Sequence, residues 1–98
     1  MSNDVTSIKS TLDNNMESLK GDYGVKEIGL FGSFVRGDNS ESSDIDLLVE
    51  FSRPVGFFKF IELEEYLGSL LGKKVDLVTK DALKSAIKAD ILKEVLYV

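Results

Sequence analysis

Residues 44–51, Asp-Ile-Asp-Leu-Leu-Val-Glu-Phe, set Ile45, Leu47, Val49 and Phe51 against Asp44, Asp46, Leu48 and Glu50 with a period of two. That period belongs to a β-strand and sends the two sets to opposite faces of a sheet. One face is apolar and needs cover. The other is largely acidic and needs water, partners or a cation. The simplest burial for such a strand is a small sheet covered by helices mainly on one face, with the second face partly open.

The flanking segments supply that cover. Val5, Ile8, Leu12, Met16 and Leu19 recur at steps of three and four, which predicts one helix over Asp4 to Lys20. Val25 to Phe31 predicts a first strand, broken by Gly32, and residues 37–43 a polar loop before the second strand. Pro54 and Gly56 end that strand. A helix follows over Phe57 to Leu71, with Phe60, Leu63, Leu67, Leu70 and Leu71 on its apolar stripe and Gly72 as its C-terminal cap. Phe57, Phe58 and Phe60 read as core plugs, with an adenine pocket at residues 56–58 as the alternative. Lys74 to Thr79 predicts a short third strand. A last helix starts at Asp81 as N-cap and carries Leu83, Ile87, Ile91 and Val95. The order is α-β-β-α-β-α, an α/β (α+β) chain. Strands one and two are expected to pair antiparallel across a short helical turn. Strand three arrives by a helical crossover, so the sheet is mixed. Val95 to Val98 is too apolar for a frayed tail and is expected to dock on the domain's own sheet, a contact with a second protein being the rival.

Ninety-eight residues predict a single domain, 1–98. With no cysteine and no histidine, thiol nucleophiles, disulfides and nitrogen or sulfur metal ligands are excluded, so any metal is held by oxygen. Seventeen acids against twelve bases give a net charge of −5, the wrong sign for gripping nucleic acid through its phosphates. The N-terminus lacks the basic and apolar regions of a secretory leader, and no apolar run approaches a membrane span. A cytoplasmic protein without membrane contact is expected.

Chemistry concentrates in two stretches. Gly32-Ser33 sits where a strand ends and a helical turn begins, with free N–H groups and a hydroxyl suited to an anion; Arg36 follows one turn on as a forked cation. Asp44 and Asp46 leave the same strand face with Cα atoms about 6.6–6.8 Å apart, close enough to converge on hard cations. Glu50 lies about 13 Å from Asp46 and is excluded. Asp76 interrupts Val75-Asp76-Leu77-Val78 and completes a three-carboxylate cluster if strand three lies beside strand two. Each residue also has a plainer reading: Asp44 and Asp46 as a solvated face, Arg36 paired with Asp38 or Glu41, Asp76 answering Lys73 or Lys74. Taken together, phosphate cradle and carboxylates point to phosphoryl or nucleotidyl transfer, in which two metals flank an in-line displacement at phosphorus.

Gly32-Ser33, a ten-residue gap and Asp44-Ile45-Asp46 resemble the signature of the DNA polymerase beta superfamily of nucleotidyltransferases. The fuller string Phe31-Gly32-Ser33-Phe34-Val35-Arg36-Gly37, with Ser43 to Val49 and Lys74-Val75-Asp76-Leu77-Val78, resembles the minimal nucleotidyltransferases over roughly residues 22–98. The resemblance implies a palm-like mixed sheet and transfer of a nucleoside monophosphate, commonly from ATP, to a hydroxyl with Mg²⁺, as two ions, or Mn²⁺. It implies that Gly32 and Ser33 bind the triphosphate and that Asp44 and Asp46 ligate metal. Asp76 would ligate the catalytic metal and help deprotonate the hydroxyl. It further implies an antitoxin that adenylylates a tyrosine of a HEPN-domain ribonuclease, with a small-molecule acceptor or a purely binding antitoxin as rivals. The C-terminal helix departs from the family in carrying Lys84, Lys88 and Lys93 but no arginine. So small a chain is expected to depend on a partner to present the acceptor.

Overall fold

The Asp4 carboxylate accepts the Ser7 N–H at 2.8 Å and caps the first helix of the chain, whose computed structural model describes residues 4–98. The expectation that Met1 to Asn3 hold no leader lies outside the described residues. Helix α1 (Val5–Asn14) stops at Asn15, and α2 (Met16–Tyr23) begins directly after it. The single helix predicted over Asp4 to Lys20 is therefore two. Asn15 leaves helical geometry at φ −112°, ψ 11°, and its side-chain amide donates to the Thr11 carbonyl at 2.8 Å, in competition with the backbone ladder. The apolar period survives the break, since Ile8, Leu12 and Leu19 are all fully buried.

Strand β1 (Val25–Phe31) leads into a one-turn helix α3 (Ser33–Arg36), and β2 (Ile45–Phe51) returns antiparallel to it. Helix α4 (Phe57–Leu71) carries the chain across to β3 (Val75–Thr79), parallel to β2. Gly72 ends α4 in the left-handed region at φ 69°, as its predicted role as a cap requires. A 3₁₀ turn (Lys80–Ala82), helix α5 (Ser85–Glu94) and a two-residue strand β4 (Leu96–Tyr97) complete the chain. The sheet order is β3-β2-β1-β4 and the sheet is mixed, as expected.

Several elements and placements differ from the sequence reading. The order α-β-β-α-β-α omits the helix break, α3 as a separate helix and β4. The last helix begins at Ser85, because Asp81 lies in the 3₁₀ turn and Leu83 takes extended backbone at φ −72°, ψ 130°. Val95 falls just after that helix. Phe57 and Phe58 are 72% and 85% exposed, so neither plugs the core; they stand in the first turn of α4, pointing off the stripe that buries Leu63, Leu67 and Leu71. Phe60 does pack against the core, edge-on to Phe51.

One sheet face is closed by Leu30, Leu47 and Leu77, then Ile28 and Val49, then Ile45 and Val75, in register across the strands and packed with Ile8, Leu12, Leu19, Leu63 and Leu67. Stacked Tyr23 and Tyr66, with centroids 5.2 Å apart, join α2 to α4. Glu64 on α4 accepts the Leu77 N–H at 2.9 Å, which occupies an outward donor of edge strand β3. The opposite face is not uniformly acidic, because Leu48 is also buried. Its register partner is Gly29, whose missing side chain admits Val95 and Tyr97 onto the same face. This seat fixes the C-terminus, where Val98 N–H donates to Ile28 O at 3.0 Å. The tail docks on its own sheet, as anticipated. Among the described residues no helix is long and apolar enough to cross a membrane.

A Cβ at Gly29 would collide with Val95 Cγ1 and crowd the Leu96 carbonyl at 3.2 Å. Gly29→Ala is therefore expected to lower unfolding free energy by roughly 1–3 kcal/mol and to expose the Val98 amide to hydrogen exchange. Denaturant melts and exchange rates report the two effects.

Candidate active site

The β1–β2 register places Phe31 opposite Asp46, and the β2–β3 register places Asp46 opposite Asp76. Phe31, Asp46 and Asp76 thus form one row across three strands, on the face away from the core. Asp44 lies one residue before β2, just outside the strand on which the sequence placed it, and its charge reaches Asp46. Gly32 follows Phe31 directly and closes the row from the other side: a Cβ there would strike the Asp46 carboxylate. Gly32 also takes φ +84°, ψ −151°, open to glycine and closed to other residues. Both the space and the dihedral explain why this position is glycine.

Helix α3 starts at Ser33, and the Gly32 carbonyl accepts the N–H groups of Val35 and Arg36 at 3.1 Å. Arg36 is exposed and its guanidinium lies 3.3 Å from Asp38 and 3.5 Å from Glu94. The surface pairing with Asp38 is real, while Glu41 is not a partner: its carbonyl instead accepts from Lys73 at 2.6 Å. Arg36 nevertheless stands close enough to Asp46 for its charge to favour the ionised carboxylate. It can serve both surface and site.

Asp44 is half-buried and meets Lys74 Nζ at 4.0 Å, across the junction where Ile45 N–H donates to Lys74 O at 2.9 Å. Asp76 is exposed, where a half-buried carboxylate was expected, and neither Lys73 nor Lys74 answers it. Strand β3 is the sheet edge, so a residue on its open face stays in water. Burial raises the Asp46 pKa above the usual carboxylate value, and the charges of Asp76 and Asp44, then Glu94, raise it further against Arg36. The three predicted acids therefore sense one another at Asp46. Among the described residues, no three acidic side chains converge tightly enough to cage an ion unaided.

Glu50 is engaged elsewhere. Lys80 Nζ bridges Glu27 at 3.2 Å and Glu50 at 3.3 Å and stands 5.1 Å over the Tyr97 ring. That cluster is four residues further along the strands from Asp46, on the same face, and Lys80 bridges both of its acids. On this face, Asp46 and Asp76 have no salt bridge among the described residues.

Glu94 is the residue that sequence reasoning missed. Its Oε2 accepts the Gly32 N–H at 2.8 Å across 62 residues of chain. One signal was available: a carboxylate in the last turn of a helix opposes the helix dipole and needs a compensating partner.

The nucleotidyltransferase domain family matches residues 12–98. A protein adenylyltransferase MntA from Thermococcus cleftensis is 53% identical over 91 residues, covering 93% of this chain and 92% of its own. A solved structure provisionally described as a minimal nucleotidyltransferase superposes with a TM-score of 0.79 at 30% identity, over 95% of this chain and 94% of that one. The structure of a toxin–antitoxin with AMP-PNP superposes with a TM-score of 0.69 at 26% identity, over 87% of this chain and 70% of that one. The match to the family over nearly the whole chain, and to MntA over more than nine-tenths of it, settles what the fold belongs to: the chain is a nucleotidyltransferase of the nucleotidyltransferase domain family and groups with its minimal members.

Proposed function

We propose that this enzyme transfers AMP from ATP, with Mg²⁺, to a tyrosine hydroxyl of a HEPN-type toxin and so acts as its antitoxin. The observation that carries the chemistry is the row Phe31–Asp46–Asp76 with Gly32 packed against Asp46, which sets a phosphate-sized turn beside neighbouring carboxylates. Resemblance to a named protein adenylyltransferase and to a toxin–antitoxin with AMP-PNP supports the donor and the kind of acceptor.

In this reading the backbone N–H of Gly32, the Ser33 hydroxyl and the Arg36 guanidinium hold the triphosphate. The donor set suits a hard cation. All candidates are carboxylate oxygens, and the charge crowding that raises the Asp46 pKa is what a bound cation relieves. Asp44, Asp46 and Asp76 would hold Mg²⁺, with waters and phosphate oxygens filling the positions these side chains leave. The metal supplies charge neutralisation at the reacting phosphate. The acceptor oxygen forms a bond to the α-phosphorus as the bond to the bridging oxygen breaks, and pyrophosphate leaves. Asp76, exposed at the sheet edge, takes the hydroxyl proton of an incoming partner in this reading.

Purified together with a HEPN-type protein and given ATP and Mg²⁺, the wild-type chain is expected to add mass in steps of one AMP to that partner. Asp44→Asn and Asp46→Asn are expected to lower the transfer rate by roughly 10²–10³-fold. Intact-mass spectrometry reads both. No added mass, with toxin inhibition surviving the double variant, would show neutralisation by occupancy alone.

The raised pKa of Asp46 also predicts its effect on stability. Since the folded pKa lies above the unfolded one, the folded state holds the proton more tightly, and stability falls as pH rises from the unfolded value through the elevated one. Asp46→Asn removes that loss. At neutral pH without metal, the variant is expected to melt higher than the wild type, by on the order of a few degrees. It should also lose the stabilisation that ATP and Mg²⁺ give the wild type. Thermal melts at pH 4 and pH 7, with and without the nucleotide, check the sign of each effect.

A further inference from the structure

Glu94 closes α5 at the end where helix carbonyls repel a carboxylate, yet its side chain is only 24% exposed. What holds it there is the site. Its Oε2 accepts from Gly32 N–H at 2.8 Å and stands 3.5 Å from Arg36 Nη1. These are two of the three groups assigned above to the triphosphate, and the inference rests on that assignment. A backbone N–H directed at a carboxylate is not available to a phosphate oxygen. A carboxylate and a triphosphate on one guanidinium and one amide also repel each other at close range.

We propose that Glu94 is an internal anion that occupies the triphosphate cradle of the empty enzyme, so that nucleotide enters only as Glu94 releases Gly32. The carrier of this residue is suited to release. Helix α5 buries none of its side chains, and beyond it the chain is held by a two-residue strand, with Leu96 on Leu30 and Tyr97 on Gly29, by the Val95 seat and by the Val98 N–H on Ile28 O. An element with few buried contacts opens at lower free energy than the core. The contact also ties the site to the C-terminus, because Glu94 immediately precedes the Val95 seat over Gly29. Nucleotide binding and the position of α5 are then coupled in both directions, as linkage requires.

Calorimetric titration of ATP with Mg²⁺, without the acceptor partner, into wild type, Glu94→Gln and Glu94→Ala tests the gate. Glu94→Gln keeps an acceptor of the same size and removes the charge; Glu94→Ala removes both. Both variants are expected to bind about tenfold tighter than wild type, the loss of one competing charge-assisted contact. If Glu94→Ala fails to fold in a thermal melt, Glu94→Gln alone carries the test. Binding by the variants equal to or weaker than that of a binding-competent wild type overturns the gate and leaves the proposed function intact. No binding by any of the three overturns both. An NMR spectrum distinguishes displacement from indirect tightening: ATP with Mg²⁺ should shift the Gly32 amide, and the wild-type Glu94 side chain should lose its contact with it. A Gly32 amide that ATP leaves unmoved, in wild type that binds, contradicts the proposal.

Discussion

The antiparallel register of β1 on β2 is the constraint from which the site follows. Because Phe31 stands opposite Asp46, Gly32 falls against the Asp46 carboxylate and α3 begins beside it. A slip of one residue would turn Asp46 towards Leu12 and Leu63 and bring Leu47 to the open face. The core forbids that slip. Leu30, Leu47 and Leu77 share a layer, and each is buried. Packing of one face thereby fixes the chemistry of the other. The parallel pairing of β3, set by the α4 crossover and by Glu64 on the Leu77 amide, then delivers Asp76 next to Asp46.

The open face divides along the strands into two charged rows with opposite outcomes. Around Glu27 and Glu50, Lys80 neutralises the acids and Tyr97 covers it. Around Asp46 the acids face one another, and the nearest cation, Arg36, is shared with Asp38 and Glu94. A fold selected for stability alone would pair these charges. Leaving Asp46 at an elevated pKa destabilises the empty protein at neutral pH, and a cation with a triphosphate supplies the missing compensation.

Much of this was legible in the residues. The period-two run from Ile45 to Phe51 defined a one-sided strand, and the glycines at 32 and 72 marked real ends. Asp46 and Asp76 were placed side by side by spacing and the assumption of neighbouring strands, which the register bears out, while Asp44 lies just before β2. What failed was local or long-range. Asn15 breaks the first helix through its own amide, a competition that apolar periodicity does not register. Phe57 and Phe58 are aromatic but sit at the wrong angle on α4. Leu48 was assigned to a polar face because nothing in β2 shows that Gly29, nineteen residues earlier in the chain, opens room for Val95. Glu94 reaches Gly32 only through the docking of β4, a contact between chain segments that no local pattern encodes.

The central claim is that one short row of the sheet, with Gly32 beside it, forms the nucleotide–metal site. Paramagnetic broadening tests it without any acceptor. With Mn²⁺ in place of Mg²⁺ and ATP present, amide signals of residues 32–33, 44–46 and 76 should broaden first. Those of Glu27, Glu50 and Lys80, two pleats or about 13 Å further on, should broaden later and less. Broadening centred on the Glu27–Glu50 row, or spread evenly over the acidic surface, would contradict the account.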